Sequence, residues 1–292
     1  MSEFFHKTKT IISFPSIDST MTSYTKDDVE VFQEKVMTWW KENARDLPWR
    51  CDSSPYNVLV SEVMLQQTQV NRVVPKYLEF LRWFPTLEML ADADSKDLLK
   101  VWSGLGYNRR AIWLRDAAKQ IVKRGKFPKT VEGLRELKGI GSYTSRSILI
   151  FAFNEDLAAV DTNIRRVLIA SGFAAEEMSE KELQRVADDL LFKGRSRDWH
   201  NALMDYGSHV LTSSSTNIPP LSKQPKFKGS TRELRGAIIR ILTNSESLTL
   251  NELITYLDSE DIQCRDVNPV LDQLLAERFV KRTDAGHFKI VD

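Results

Sequence analysis

The chain has 292 residues, 41 basic against 40 acidic side chains, and two cysteines, Cys51 and Cys264. That length suits one large domain or two to three small ones, and a composition 42% hydrophobic and 28% charged excludes wholesale disorder and a collagen-like or disulfide-rich chain. No apolar run approaches the roughly 20 residues of a membrane span, residues 1–24 lack the apolar core of a signal peptide, and the cysteines lack partners at ligand spacing, so an intracellular protein without a four-thiolate metal site is expected.

Residues 1–24 mix Ser, Thr and single apolars without a period and are expected to form a flexible tail. From Asp27 the period is helical: Val29, Phe32, Val36, Trp39 and Trp40 share a face, and Pro48 forbids continuation. A second helix opens at Ser54-Pro55, an N-cap followed by proline, and runs to about Thr68. Helical patterns recur after Val70 and over 87–91, 95–102, 109–123, 131–137 and 142–153. Another opens at Asp161-Thr162, and further ones cover 180–191 and 198–211. No convincing strand precedes residue 245, so residues 25–211 read as all-α. Residues 212–230 are rich in Ser, Pro and Lys and read as a linker. Beyond it, helical stretches at 234–242, 251–257 and 267–277 precede two short runs around Asp284-Ala285-Gly286, a hairpin signal. Three helices and a hairpin predict a winged-helix-like module over 231–292.

Residues 137–144, Leu-Lys-Gly-Ile-Gly-Ser-Tyr-Thr, set Gly139 and Gly141 one residue apart between two helical segments. The tight turn points its amides outward at a helix start, a nest for an anion such as a backbone phosphate. An ordinary helix–turn–helix corner with a glycine C-cap is the alternative. Between 109 and 129 the basics are Arg109, Arg110, Arg115, Lys119, Lys123, Arg124, Lys126 and Lys129, against Asp116 alone. One positive face is therefore expected despite the neutral total, as phosphate binding requires, unless these are simply solvated lysines and arginines. Glu62 has Val58, Leu59, Leu65 and Gln66 as helical neighbours. A carboxyl on that face is expected to be desolvated and suited to proton donation near neutral pH, unless it pairs with an arginine such as Arg50 or escapes to solvent. Asp161 stands at the N-cap position of the helix over 162–170; a carboxylate at a cleft mouth would equally stabilise a cationic sugar. His200 and His209, nine residues apart, match no helical metal spacing, and no P-loop, G-x-S-x-G or Rossmann glycine pattern is present.

In this order, LPWR (47–50), PY (55–56), SEVMLQQTQV (61–70), GLGY (104–107), LKGIGSYT (137–144), DTNIRRVL (161–168) and ALMDYG (202–207) make residues 27–211 resemble the helix–hairpin–helix DNA glycosylases, and among them the MutY adenine glycosylases. The resemblance implies an all-α, two-lobed fold: a six-helix barrel lobe over about 55–153, a second lobe from 25–54 and 154–211, and a cleft between them. It implies that Glu62 protonates the adenine ring and then handles the attacking water, while Asp161, with Asn163 beside it, stabilises the oxocarbenium-like sugar. Tyr143 stands where bifunctional relatives carry a Schiff-base lysine. Gln67 and Tyr107 match residues that wedge into the duplex, with Gln66, Thr68, Arg109, Arg50 and the hairpin residues Gly139, Gly141, Ser142 and Thr144 as further DNA contacts.

Three departures accompany the resemblance. The four cysteines that usually hold an iron–sulfur cluster have no counterpart in Thr212–Ser230, so no cofactor is expected. The aspartate motif reads Asp-Thr-Asn rather than the Asp-Gly-Asn usual in MutY enzymes, and the mismatch thymine glycosylases of the same superfamily also depart from glycine there. The large domain that reads 8-oxoguanine is replaced by the small module. The expected activity is monofunctional removal of adenine opposite 8-oxoguanine or guanine, by a DNA-associated monomer of the cytoplasm, nucleoid or nucleus with no membrane partner. Thymine or uracil excision opposite guanine, and a catalytically inactive lesion binder, are the alternatives.

Overall fold

The computed structural model describes residues 24–220, 225–262 and 266–291. The expected tail (apart from Tyr24), residues 221–224 of the expected linker and Cys264 lie outside them. In chain order the helices are α1 (Lys26–Asn43), α2 (Pro48–Cys51), α3 (Pro55–Leu65), α4 (Val70–Trp83), α5 (Leu87–Ala91), α6 (Ser95–Trp102), α7 (Arg109–Arg124) and α8 (Val131–Arg135). They continue with α9 (Ser142–Phe153), α10 (Thr162–Ala170), α11 (Glu180–Asp189), α12 (Ser196–His209) and α13 (Ser213–Thr216). The last are α14 (Thr231–Thr243), α15 (Leu250–Ser259) and α16 (Asn268–Ala276), followed by strands β1 (Val280–Arg282) and β2 (Phe288–Ile290). The described residues form two compact units, those within 1–46 and 149–223 and those within 47–148 and 224–292. The division falls inside α9, and the C-terminal module belongs to the same unit as 47–148 rather than standing apart.

In the first unit, α1 starts at a reciprocal capping box between Thr25 and Asp28. Its apolar stripe buries Phe32, Val36 and Met37 among Ile164, Val167, Trp199 and Tyr206, with Val29, Trp39 and Trp40 packed at the edge. Tyr24 is not part of a loose tail, since its ring meets Phe173 edge-on and its hydroxyl donates to Asp189. Asp205 is fully buried and accepts from the Trp40 indole N–H at 3.0 Å and from the Arg45 backbone N–H at 3.1 Å, besides pairing with the Arg45 guanidinium. A buried carboxylate needs such partners, which explains the aspartate of ALMDYG. The stretch after α12 is not wholly irregular: Thr212 caps α13, and Ile218 is buried.

In the second unit, α3, α4, α6 and α7 pack Leu59, Met64, Val73, Phe80, Leu98, Trp102 and Leu114 into one core. α14 of the C-terminal module packs on β2 and, outside the module, on α6 of the same unit, and β1 and β2 pair antiparallel with Val280 opposite Ile290. Leu248 bridges Phe288 at the sheet edge. The module is a small winged helix, as its pattern predicts. Glu277, at the end of α16, forms ion pairs with Arg109 and Arg235. Phe227, between α13 and α14, is exposed.

His200 is a structural residue. It is 2% exposed, its Nε2 accepts the Ala159 N–H at 3.0 Å, and its Nδ1 lies 2.7 Å from the Ser196 carbonyl, so Nδ1 carries the proton. Burial pushes its pKa from 6.5 down to about 4. The folded protein thus holds the imidazole neutral, and that stability is present above pH 6.5 and lost as pH falls towards 4. Thermal midpoints measured across this range should fall, and His200→Gln should flatten the fall; an equal slope in the variant would show that other groups cause it.

Candidate active site

Glu62 lies on α3, whose residues from Val58 to Met64 are all buried. The helix is buried on every side over this stretch because it runs through the core of its unit. Glu62 is 8% exposed, as its apolar neighbours predict, and Ser147 Oγ of α9 donates to its Oε2 at 2.6 Å. The sequence reading did not single out Ser147. Arg50, at the end of α2, is half-buried in the same unit.

The helix stops at Leu65, three residues before the expected end, and Arg110 caps it. Its Nη1 donates to the carbonyls of Val63 at 2.8 Å, Met64 at 2.9 Å and Gln66 at 2.6 Å. Those are carbonyls that a helix end leaves without intrahelical partners. Its Nη2 reaches Thr68 Oγ1 at 3.0 Å and the carbonyls of Leu105 at 3.2 Å and Gly106 at 3.1 Å. One guanidinium therefore ties the 66–68 loop to the 104–107 loop. At the tips of these loops Gln67 and Tyr107 both take left-handed backbone, with φ of 54° and 48°. Both are exposed, Tyr107 at 43%. Arg110 is thus no part of the positive face expected from residues 109–129; it is buried. Arg109 pairs with Glu277 at 2.8 Å, Arg124 with Glu136 at 2.8 Å, and Arg115 donates to the Ala93 carbonyl and Ser95. Charge counting along the chain overlooked these acidic and carbonyl partners.

Between α8 and α9 the chain turns through Gly139, whose φ is +76° and at which an added Cβ would lie 2.9 Å from the Trp113 ring. Glycine is required there on both counts. Gly141 and Ser142 are exposed at the start of α9, a 12-residue helix. Tyr143 is half-buried in its first turn, and Thr144 is buried, its Oγ1 accepting from Gln66 Nε2 at 3.2 Å.

Asp161 and Asn163 belong to the other unit. Asp161 is the N-cap of α10: Oδ1 accepts the Ile164 N–H at 2.7 Å, and Oδ2 accepts from Asn163 Nδ2 at 3.0 Å. Arg166, unnoticed in the sequence, donates to Asn163 Oδ1 at 2.7 Å and to the Gly207 carbonyl at 2.8 Å. Burial pushes the Asp161 carboxyl above the usual carboxylate range, although the Ile164 and Asn163 hydrogen bonds and the Arg166 charge pull the other way. The residue as a whole is half-buried, yet its carboxyl is desolvated.

Of the expected site residues, Glu62, Gln66, Gln67, Thr68, Tyr107, Arg109, Arg50, Tyr143, Thr144 and the hairpin glycines share one unit, and Asp161 and Asn163 the other. No cluster of three or more His, Cys, Asp or Glu side chains suited to a metal occurs among the described residues. Residues 212–230 carry no thiolate, and two cysteines 213 positions apart do not fit an iron–sulfur cluster. No helix among the described residues is long and apolar enough to cross a membrane.

Residues 60–191 match the HhH-GPD superfamily of base excision DNA repair proteins. The chain is similar to an adenine DNA glycosylase of Mycolicibacterium smegmatis, 32% identical over 88% of this chain and 94% of that protein. An adenine DNA glycosylase of Homo sapiens is 36% identical over 63% of this chain and 37% of its own length. Among solved structures, a thermostable thymine-DNA glycosylase superposes with a TM-score of 0.60 at 28% identity, over 64% of this chain and 89% of the other. The fold and these likenesses define a base excision DNA glycosylase of the helix–hairpin–helix class, and the chain belongs to its adenine DNA glycosylase family.

Gly207, the glycine of ALMDYG, lets α12 approach the turn that carries Asn163. A Cβ there would lie 2.9 Å from the Asn163 carbonyl and 3.0 Å from its Cβ. Gly207→Ala should displace residues 161–163 and lower the single-turnover base-release rate by about tenfold or more, while destabilising the fold by about 1–3 kcal/mol. A wild-type rate in the variant would show that the Asp161 turn tolerates the shift.

Proposed function

We propose that this chain is a monofunctional glycosylase, acting as a monomer on duplex DNA, that flips out adenine paired with 8-oxoguanine or guanine and hydrolyses its N-glycosidic bond. The supporting observation is the surroundings of Glu62: a buried carboxyl on a helix whose exit loop is locked by Arg110 to the Tyr107 loop. Base flipping requires protein in the vacated place. Two exposed side chains, Gln67 and Tyr107, on loops fixed beside a buried acid suit that task.

Adenine is a poor leaving group until its ring is protonated. In the proposed reaction Glu62 gives its proton to the flipped base, and the C1′–N9 bond breaks with its electron pair passing to adenine. The Asp161 carboxylate stabilises the resulting oxocarbenium-like sugar; water then adds to C1′, and its proton returns to Glu62. Asn163 orients Asp161. The amides from Gly139 to Ser142 and the start of α9 take a backbone phosphate, with Gln66, Thr68, Thr144, Arg50 and Arg109 as further DNA contacts. Tyr143 offers no amine for a Schiff base, so the product is an intact strand with an abasic site. No cofactor takes part, and iron chelators leave the rate unchanged.

A second reading, removal of thymine or uracil opposite guanine, is favoured by Thr162 in place of glycine and by the thymine-DNA glycosylase likeness. Duplexes holding A:8-oxoG, A:G, T:G and U:G pairs, cleaved with alkali after incubation, separate the two. Release from the adenine duplexes is expected, with Glu62→Gln and Asp161→Asn each slower by roughly 10²–10⁴-fold while still binding DNA. Because burial disfavours the Asp161 carboxylate, its stability contribution is lost as pH rises through its raised pKa, so Asp161→Asn should be at least as stable as wild type above that point. Faster release from T:G would establish the second reading, and binding without release from any duplex would mean an inactive lesion binder. Efficient borohydride trapping of a covalent complex would contradict the monofunctional assignment.

A further inference from the structure

Glu62 and Gln66 face α9 one turn apart, and each meets a hydroxyl residue of that helix: Gln66 the side chain of Thr144, Glu62 that of Ser147. Ser147 is fully buried. Its Oγ lies 2.6 Å from Glu62 Oε2 and 3.1 Å from the Thr144 carbonyl, which precedes it by three residues on α9. A serine hydroxyl carries one proton and two lone pairs, so it serves as donor or acceptor by rotating the hydrogen alone. An ionised carboxylate only accepts, whereas a protonated carboxyl also donates.

We propose that Ser147 is a positioning residue that holds the Glu62 carboxyl in one place through both of its protonation states. When Glu62 is ionised, the Ser147 hydroxyl donates to Oε2 in a short, charge-assisted bond. When Glu62 is protonated, Oε2–H donates to Ser147 Oγ, and the serine proton turns to the Thr144 carbonyl. No heavy atom moves between the two arrangements. The inference rests on the reading of Glu62 as the group that gives a proton to the base and takes one back from water, since that reaction requires the same carboxyl, in both states, at the same position. Core packing alone would require only a small side chain at 147. The hydrogen bond to the ionised form also lowers the carboxyl's proton affinity relative to a pocket without a donor.

The test is the pH dependence of single-turnover adenine release by wild type, Ser147→Ala, Ser147→Thr and Glu62→Gln. Loss of the hydroxyl should move the basic limb up by about one pH unit and lower the plateau several-fold. The threonine variant, which keeps the hydroxyl, should restore the wild-type limb, and Glu62→Gln should show none. An unshifted limb in Ser147→Ala, with Glu62→Gln inactive, would overturn the role of Ser147 and leave that of Glu62 standing. A wild-type rate in Glu62→Gln would instead remove the reading on which the inference rests. If Ser147→Ala fails to fold, Ser147→Cys, whose thiol is a weaker donor, should shift the limb in the same direction, and an unshifted limb there would equally overturn the proposal.

Discussion

The Arg110 guanidinium is the constraint on which the candidate DNA-probing surface depends. It is buried, and its Nη1 and Nη2 reach six oxygens, five of them backbone carbonyls. Burial pushes its pKa down to about 10, which still leaves it charged at neutral pH. Its carbon lies 5.4 Å from the Trp102 ring centre and 5.6 Å from that of Tyr107, so aromatic faces supply part of the solvation that water would give. A lysine, with a compact ammonium in place of a planar fork, could not span both loops. This one side chain caps the end of α3 and ties together the two loops that carry the left-handed residues Gln67 and Tyr107.

The chemistry is arranged on the same economy of means. Asp161 caps a helix and, in the proposed reaction, faces the developing cation, so the capping bond that orders α10 also orients the carboxylate. Arg166 links Asn163 to the Gly207 carbonyl, and the absence of a side chain at 207 allows that approach. Glu62 instead accepts from the neutral hydroxyl of Ser147. The Asp161 carboxyl is surrounded by fixed donors and the nearby Arg166, which oppose the effect of its burial, whereas Glu62 meets a hydroxyl able to donate or accept.

Much of the fold is legible in the sequence because its signals are local. Capping residues, prolines and apolar periods locate the helices, and the Asp284-Ala285-Gly286 signal locates the wing. What escaped depends on distant partners. Arg110 reads as one of a basic series, yet Leu114, Ala117 and Ile121, spaced four, seven and eleven residues on, put it on the buried stripe of α7. The periodicity therefore held the clue that charge counting masked. Ser147 is one of several hydroxyl residues in the first turns of α9, beside Ser142, Thr144 and Ser145, and nothing local marks which of them meets Glu62; the link between Glu277 and Arg109 spans 168 positions. The Asp161 alternatives, cap or catalyst, were never exclusive.

Hydrogen exchange at individual amides of wild type and Arg110→Ala addresses the central claim most directly. The relevant amides are Thr68 and Leu105, hydrogen-bonded to the Leu65 and Trp102 carbonyls at 3.2 Å each. If Arg110 holds the two loops as one body, both amides lose protection together in the variant while those within α4 and α6 keep theirs. Unchanged protection at both sites, or loss at one loop alone, would contradict the account.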